Sequence, residues 1–166
     1  MVLFFGLLSI IFSFLAYYQI ERLRFLILNS LAIISIGISF YLTEGFLGFY
    51  AECIMLIVHI VAIFTNDIIK RKLLLFTPFI VFFLYIYLNY NALLVNYMQI
   101  FIPIAMSLFS IGVFQNKMSI NKVFFIFGLL SLLIYSLYTG TYYVAISNFI
   151  GIFILFKQYL TLKTLE

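Results

Sequence analysis

Apolar residues run along this chain in successive blocks of roughly 17 to 20, separated by short polar interruptions and without an amphipathic stripe. The blocks predict helices over 2–18, 25–42, 46–65, 73–89, 93–114, 122–138 and 141–157. About 20 helical residues at about 1.5 Å rise cross a hydrocarbon core of about 30 Å, so the blocks have the lengths of spanning helices, some of them short. Local bilayer thinning accommodates the short ones. An outer-membrane barrel would show alternating segments of about ten residues, and this pattern is missing. The first block has no basic leader and no small-x-small cleavage site after it, so it is expected to stay as the first helix rather than act as a secretion signal.

Composition points the same way: 67% of the 166 residues are hydrophobic and 8% are charged, too few charges to cover a water-soluble globule. The basic residues sort by turn. Arg22 and Arg24 follow the first block, Lys70, Arg71 and Lys72 the third, Lys117 and Lys122 the fifth, and Lys157 and Lys163 the seventh. Cytoplasmic loops retain Lys and Arg, so the expected fold class is an all-α integral membrane protein with seven transmembrane helices, N-terminus outside and C-terminus cytoplasmic. The net charge of +4 then reports topology and contact with the anionic headgroups of the lipid bilayer, not a nucleic acid. Tyr41, Tyr90, Tyr138, Tyr142 and Tyr143 are expected at the outer interface, and Tyr17, Tyr18 and Tyr159 at the inner one.

Shifting the sequence by 96 residues places Gln19 on Gln115, Ser35 on Ser131, Thr43 on Thr139 and Glu52 on Asn148. The shift carries helices one to three onto five to seven and leaves the fourth alone. That predicts a first three-helix unit over 1–66, a linker helix over 67–92 and a second unit over 93–166, the two units being parallel repeats. This 3+1+3 plan, with glutamines ending helices one and five and polar residues at matching depths in helices three and seven, resembles the SWEET and PQ-loop superfamily. Tyr18-Gln19 and Phe114-Gln115 lack the proline that names the PQ-loop. In length and texture the chain resembles the YgjV-like bacterial inner-membrane proteins through 18–24, 41–45 and 102–148, including Pro103, Ser107, Tyr138, Gly140 and Asn148. That resemblance implies a multi-pass protein of the bacterial inner membrane. The SWEET likeness implies sugar passage through a central cavity with paired asparagines on helices three and seven, which carries over to Asn148, while the matching position holds Glu52 with its different chemistry.

Ionisable groups inside a membrane are costly enough to be read as functional candidates, and helix three holds Glu52 and His59. Seven residues at about 100° return His59 to within roughly 20° of Glu52, so the two share a stripe that could relay protons and couple them to a small polar solute. The alternative is structural: Glu52 as a hydrogen-bonding group beside the packing glycines Gly45 and Gly48, and His59 as helix-to-helix glue. Asn29, Ser35, Ser131 and Tyr135, with Ser39, Ser136 and Ser147, are candidates for the same cavity or for helix packing. Pro103 is expected to kink or hinge helix five, and Pro78 to kink the linker. Cys53 is the single cysteine, which excludes a disulfide framework within the chain, and no set of ligands is spaced for a metal; no cofactor is expected. P-loop, Gly-x-Ser-x-Gly and His-Glu-x-x-His motifs are missing, so no enzyme activity is expected. Two functions fit: movement of a small polar solute by alternating access, or a non-transporting subunit or assembly factor with a dry polar core.

Overall fold

A computed structural model describes residues 1–43, 46–65, 76–88, 90–91 and 96–165. Gly45, the basic run Lys70, Arg71 and Lys72, and the 66–67 boundary lie outside the described residues. Within them the fold is all-helical: α1 (Val2–Tyr17), α2 (Arg22–Leu42), α3 (Phe46–Phe64), α4 (Thr77–Leu88), a 3-10 turn (Tyr97–Ile100) leading into α5 (Phe101–Val113), α6 (Met118–Tyr138) and α7 (Tyr142–Leu165). Arg22–Leu42, Met118–Tyr138 and Val144–Leu165 are long and apolar enough to cross a membrane, while the other apolar helices are shorter.

Several ends differ from the predicted ones for one reason. A polar residue marks where an apolar block stops, but it does not break a helix. The Arg22-Leu23-Arg24 run is made of good helix formers and starts α2 three residues early, and α6 likewise begins at Met118 rather than 122. Past Lys157, α7 meets neither Gly nor Pro and continues to Leu165. Pro103 does not lie in mid-helix as expected. It is buried in the first turn of α5, just after the 3-10 turn, where a missing N–H costs little. The Asn96 side chain caps that 3-10 turn by accepting from the Met98 amide at 3.1 Å. Pro78 likewise falls in the first turn of α4. Gly140, at φ 72°, takes the left-handed conformation that ends α6 and reverses the chain into α7.

The helices pack mainly with their sequence neighbours, α1 on α2 on α3 and α5 on α6 on α7; α4 lies against α5. Between these groups α1 meets α7 and α5 meets α3, each first helix against the other group's third. Hydrogen bonds fix the directions. Arg22 at the start of α2 reaches the carbonyls of Ala62 in the last turn of α3 and Val113 at the end of α5, and Lys122 near the start of α6 reaches that of Tyr17 at the end of α1. The C-termini of α1, α3 and α5 and the N-termini of α2 and α6 therefore share one end, called the basic end below, and α1 runs parallel to α5.

The 96-residue offset recurs in detail. It carries the bounds of α2 onto those of α6, the end of α1 onto that of α5 and the start of α3 onto that of α7. Gln19 Nε2 donates to the Leu15 carbonyl at 3.0 Å and Gln115 Nε2 to the equivalent Ile111 at 3.1 Å. Ser35 and Ser131 donate to the carbonyls of Leu31 and Phe127, and Thr43 and Thr139 to the last-turn carbonyls of α2 and α6, again at equivalent positions.

The distribution of polarity is inverted relative to a soluble bundle. Leu3, Leu7, Ile11 and Leu15 face outward along α1, Leu23, Ile27, Leu31 and Ile34 along α2, and Ile146, Ile150, Phe153 and Leu160 along α7. Asn29, His59, Ser110, Asn121, Lys122 and Ser136 are buried. Close approach of helices relies on small residues: a Cβ on Gly128 of α6 would overlap the Phe109 ring of α5, and one on Gly151 of α7 would meet Leu129 of α6 at 2.9 Å and Tyr17 of α1 at 3.0 Å.

Candidate functional site

The residues expected to line one cavity separate into distinct environments. Asn29 of α2 and His59 of α3 form a closed pair inside the first group, Asn29 Nδ2 standing 2.8 Å from His59 Nε2. His59 Nδ1 lies 2.9 Å from the Met55 carbonyl. A carbonyl only accepts, so Nδ1 carries the ring proton and Nε2 accepts from the Asn29 amide. Both ring nitrogens are thereby used, and the ring is fully buried.

Ser35 and Ser131 return their hydroxyls to their own helices, as serines in helices commonly do. Half-buried Tyr135 lies within electrostatic reach of Tyr85 on α4, toward the linker side.

Glu52 and Asn148 differ from this set. Of the two acids whose structure is described, Glu21 pairs with Arg24 at the surface at 2.7 Å, and half-buried Glu52 is the one inside the bundle. Its Cβ faces α2 where Gly37 leaves room, a Cβ there standing 3.5 Å away. Asn148 on α7 is half-buried, and its amide nitrogen is sealed from solvent without a hydrogen-bond partner among the described residues. A buried donor without an acceptor costs about 1–3 kcal/mol, so such a group marks a place where something else is accommodated.

Tyr17 bears on both of these. It was expected at the inner interface as an amphipathic anchor, but it is 7% exposed, whereas its neighbour Tyr18 is 49% exposed and fits that role. Side chains on a helix lean toward its N-terminus, so the Tyr17 ring descends from the end of α1 into the bundle. There it touches Gly151, three residues along α7 from Asn148. Its hydroxyl bonds the Ser13 side chain and lies within electrostatic reach of Glu52. One phenol thus touches the α7 turn next to Asn148 and lies within electrostatic reach of Glu52 on α3.

The basic end carries a second polar constellation. Arg22 Nη2 lies 3.0 Å from both the Ala62 and the Val113 carbonyl oxygens. Lys122, fully buried, donates to the Tyr17 carbonyl at 3.1 Å, and its ammonium sits 4.4 Å from the centroid of the Phe25 ring. Helix C-termini carry roughly half a negative charge and an aromatic face is electron-rich, so these contacts favour a cation at each position. Asn121 beside Lys122 donates to the Gly112 carbonyl at 2.8 Å and leaves its own Oδ1 buried without a partner. Sequence reasoning assigned Arg22 and Lys122 to topology alone and Tyr17 to the interface, and it passed over Asn121. The available signal was Lys122 standing three residues before Phe125, in register with the inward face of its helix.

Among the described residues no three of His, Cys, Asp and Glu gather to hold a metal. No protein family, curated protein or solved structure matches this chain.

Proposed function

We propose that this chain is an integral membrane protein whose α1–α3 and α5–α7 groups act as two parallel repeats and pass a small polar solute between them by alternating access. In this reading all seven helices span the bilayer, with α4 as linker, the basic end cytoplasmic, and the protein in a bacterial inner membrane as its YgjV-like texture and SWEET-like plan imply. The outward apolar faces and inward polar groups support the membrane setting, because a soluble monomer rarely exposes so continuous an apolar surface. The repeat is supported by the coincident helix ends and by the reciprocal α1 to α7 and α5 to α3 contacts.

The observation that carries the functional reading is the pair Glu52 and Asn148, one offset apart, with Tyr17 against the α7 turn next to Asn148 and within electrostatic reach of Glu52. The Asn148 amide nitrogen, without a hydrogen-bond partner among the described residues, and the Glu52 carboxylate are groups a polar solute would engage, and a protonatable Glu52 would allow proton coupling. Uptake of a solute library into proteoliposomes tests it, with Glu52→Gln and Asn148→Ala as variants. Specific flux lost in both variants is the expected result, and flux that both variants retain refutes the site.

A second reading is a non-transporting subunit or assembly component. The closed Asn29–His59 pair favours it, since that pair shows buried polar groups satisfying one another with no solute. Absence of flux for every solute, in protein that elutes as one folded species, is the outcome it expects.

A further inference from the structure

The polar contacts at the basic end cross between the two helix groups, and they do so in both directions. Arg22 of α2 holds the end of α5 while also holding α3 of its own group, and Lys122 of α6 holds the end of α1. Beneath them the Phe25 ring of α2 meets the Phe125 ring of α6 edge-on at 4.9 Å, again across the groups. Among the described residues at the opposite end, the Ser39 hydroxyl donates to the Val2 carbonyl and the Tyr97 ring meets that of Tyr138, both within a group. The offset does not relate the two cations to each other. It places Arg22 on Met118 and Lys122 on Leu26, so the crossing contacts are an addition to the repeat rather than a product of it.

We infer that Arg22 and Lys122 form a gate at the basic end, each binding the helix C-terminal carbonyl of the opposite group, and that the structure is the conformation closed at that end. This rests on the proposed passage between the groups. Opening requires both cations to leave the carbonyls of the opposite group, which couples the two contacts. Arg22 suits the role because its Nη2 carries one N–H for each of the two carbonyls at the end of a side chain longer than that of lysine, whose ammonium would fall short of them. Lys122 suits it because its fully buried amine has the Tyr17 carbonyl and the Phe25 face as its partners, contacts that separation of α1 from α6 breaks.

The test uses the full chain with Cys53→Ala in lipid nanodiscs, where both faces meet solvent. Two reporters are read separately with a water-soluble maleimide: Val113→Cys, buried at the basic end, and Ser136→Cys, buried toward the other end. Replacing both cations by methionine keeps their apolar stems. Arg22→Met with Lys122→Met is expected to raise labelling at position 113 by about tenfold or more, tenfold being about 1.4 kcal/mol of closure, and to change labelling at position 136 by less than about twofold. No rise at 113, or an equal rise at both positions, overturns the gate. Should the double variant not fold, Arg22→Lys alone must raise labelling at 113 by about threefold or more, or the gate is refuted. Solute flux is read in parallel. Flux with unchanged labelling overturns the gate and leaves transport standing, whereas a labelling rise without any flux supports the contacts and refutes transport.

Discussion

Replacing Asn29 with alanine removes the amide that donates to His59 Nε2, and the consequence follows from how completely the pair is enclosed. Asn29 is 7% exposed and His59 is 0% exposed, and the bond is 2.8 Å, at the short end for such a pair. With Nδ1 held by the Met55 carbonyl at 2.9 Å, the ring cannot rotate to seek another donor without breaking that bond too. A stranded buried acceptor costs about 1–3 kcal/mol, so Asn29→Ala is expected to lose about that much, and His59→Leu, which strands the amide instead, a similar amount. The two losses should not add. Hydrogen bonds between helices in membranes show coupling of about 0.6 kcal/mol on average and about 1.7 at most, and this enclosed pair belongs in the upper half of that range. Reversible unfolding of the wild type, both single variants and the double variant in mixed micelles at rising SDS measures it. A double variant whose loss equals the sum of the singles within about 0.3 kcal/mol would refute the reasoning, because the bond would then contribute nothing.

Gly128→Ala puts a Cβ into the Phe109 ring and should destabilise by about 1–3 kcal/mol, recovered in part by adding Phe109→Leu; Gly37→Ala meets Glu52 Cβ at 3.5 Å, an ordinary contact, and should shift a thermal melt far less. Equal melting of the two variants would count against the packing of α5 on α6. In the proposed orientation a reporter fused after α7 should report the cytoplasmic side, and a signal from the opposite side for the same fusion would reverse that orientation. Substitution of Tyr17 by phenylalanine keeps the ring against Gly151 and removes the hydroxyl that bonds Ser13 beside Glu52; solute uptake should fall while the melting point shifts little, and unchanged uptake would remove Tyr17 from the site.

Much of the helical pattern was legible because each helix is an apolar block, and hydrophobicity along the chain needs no partner to be read. Helix ends were less legible, since the limit of hydrophobicity lies inside the limit of hydrogen bonding; α2, α6 and α7 all run past the polar residue that closed their blocks. The offset between Glu52 and Asn148 could be read from four polar coincidences, yet the division of the remaining candidates could not. Ser35, Ser131 and Asn29 look alike in sequence, and whether a hydroxyl or amide turns to its own helix, to a neighbour or to a shared space depends on rotation about the helix axis within the bundle.

The sequence by itself determined the all-helical class, the apolar blocks, the sorting of basic residues and the repeat offset, because each depends on residue type and spacing along one chain. Tertiary structure decided which helices meet, that Tyr17 is buried between the groups rather than set at an interface, and that Arg22 and Lys122 grip the ends of helices 91 and 105 residues away in the chain. The physical reason is that a cation at a helix start has the same local pattern whether it faces solvent or a distant carbonyl. Only packing the two groups together brings an electronegative helix end within hydrogen-bond reach.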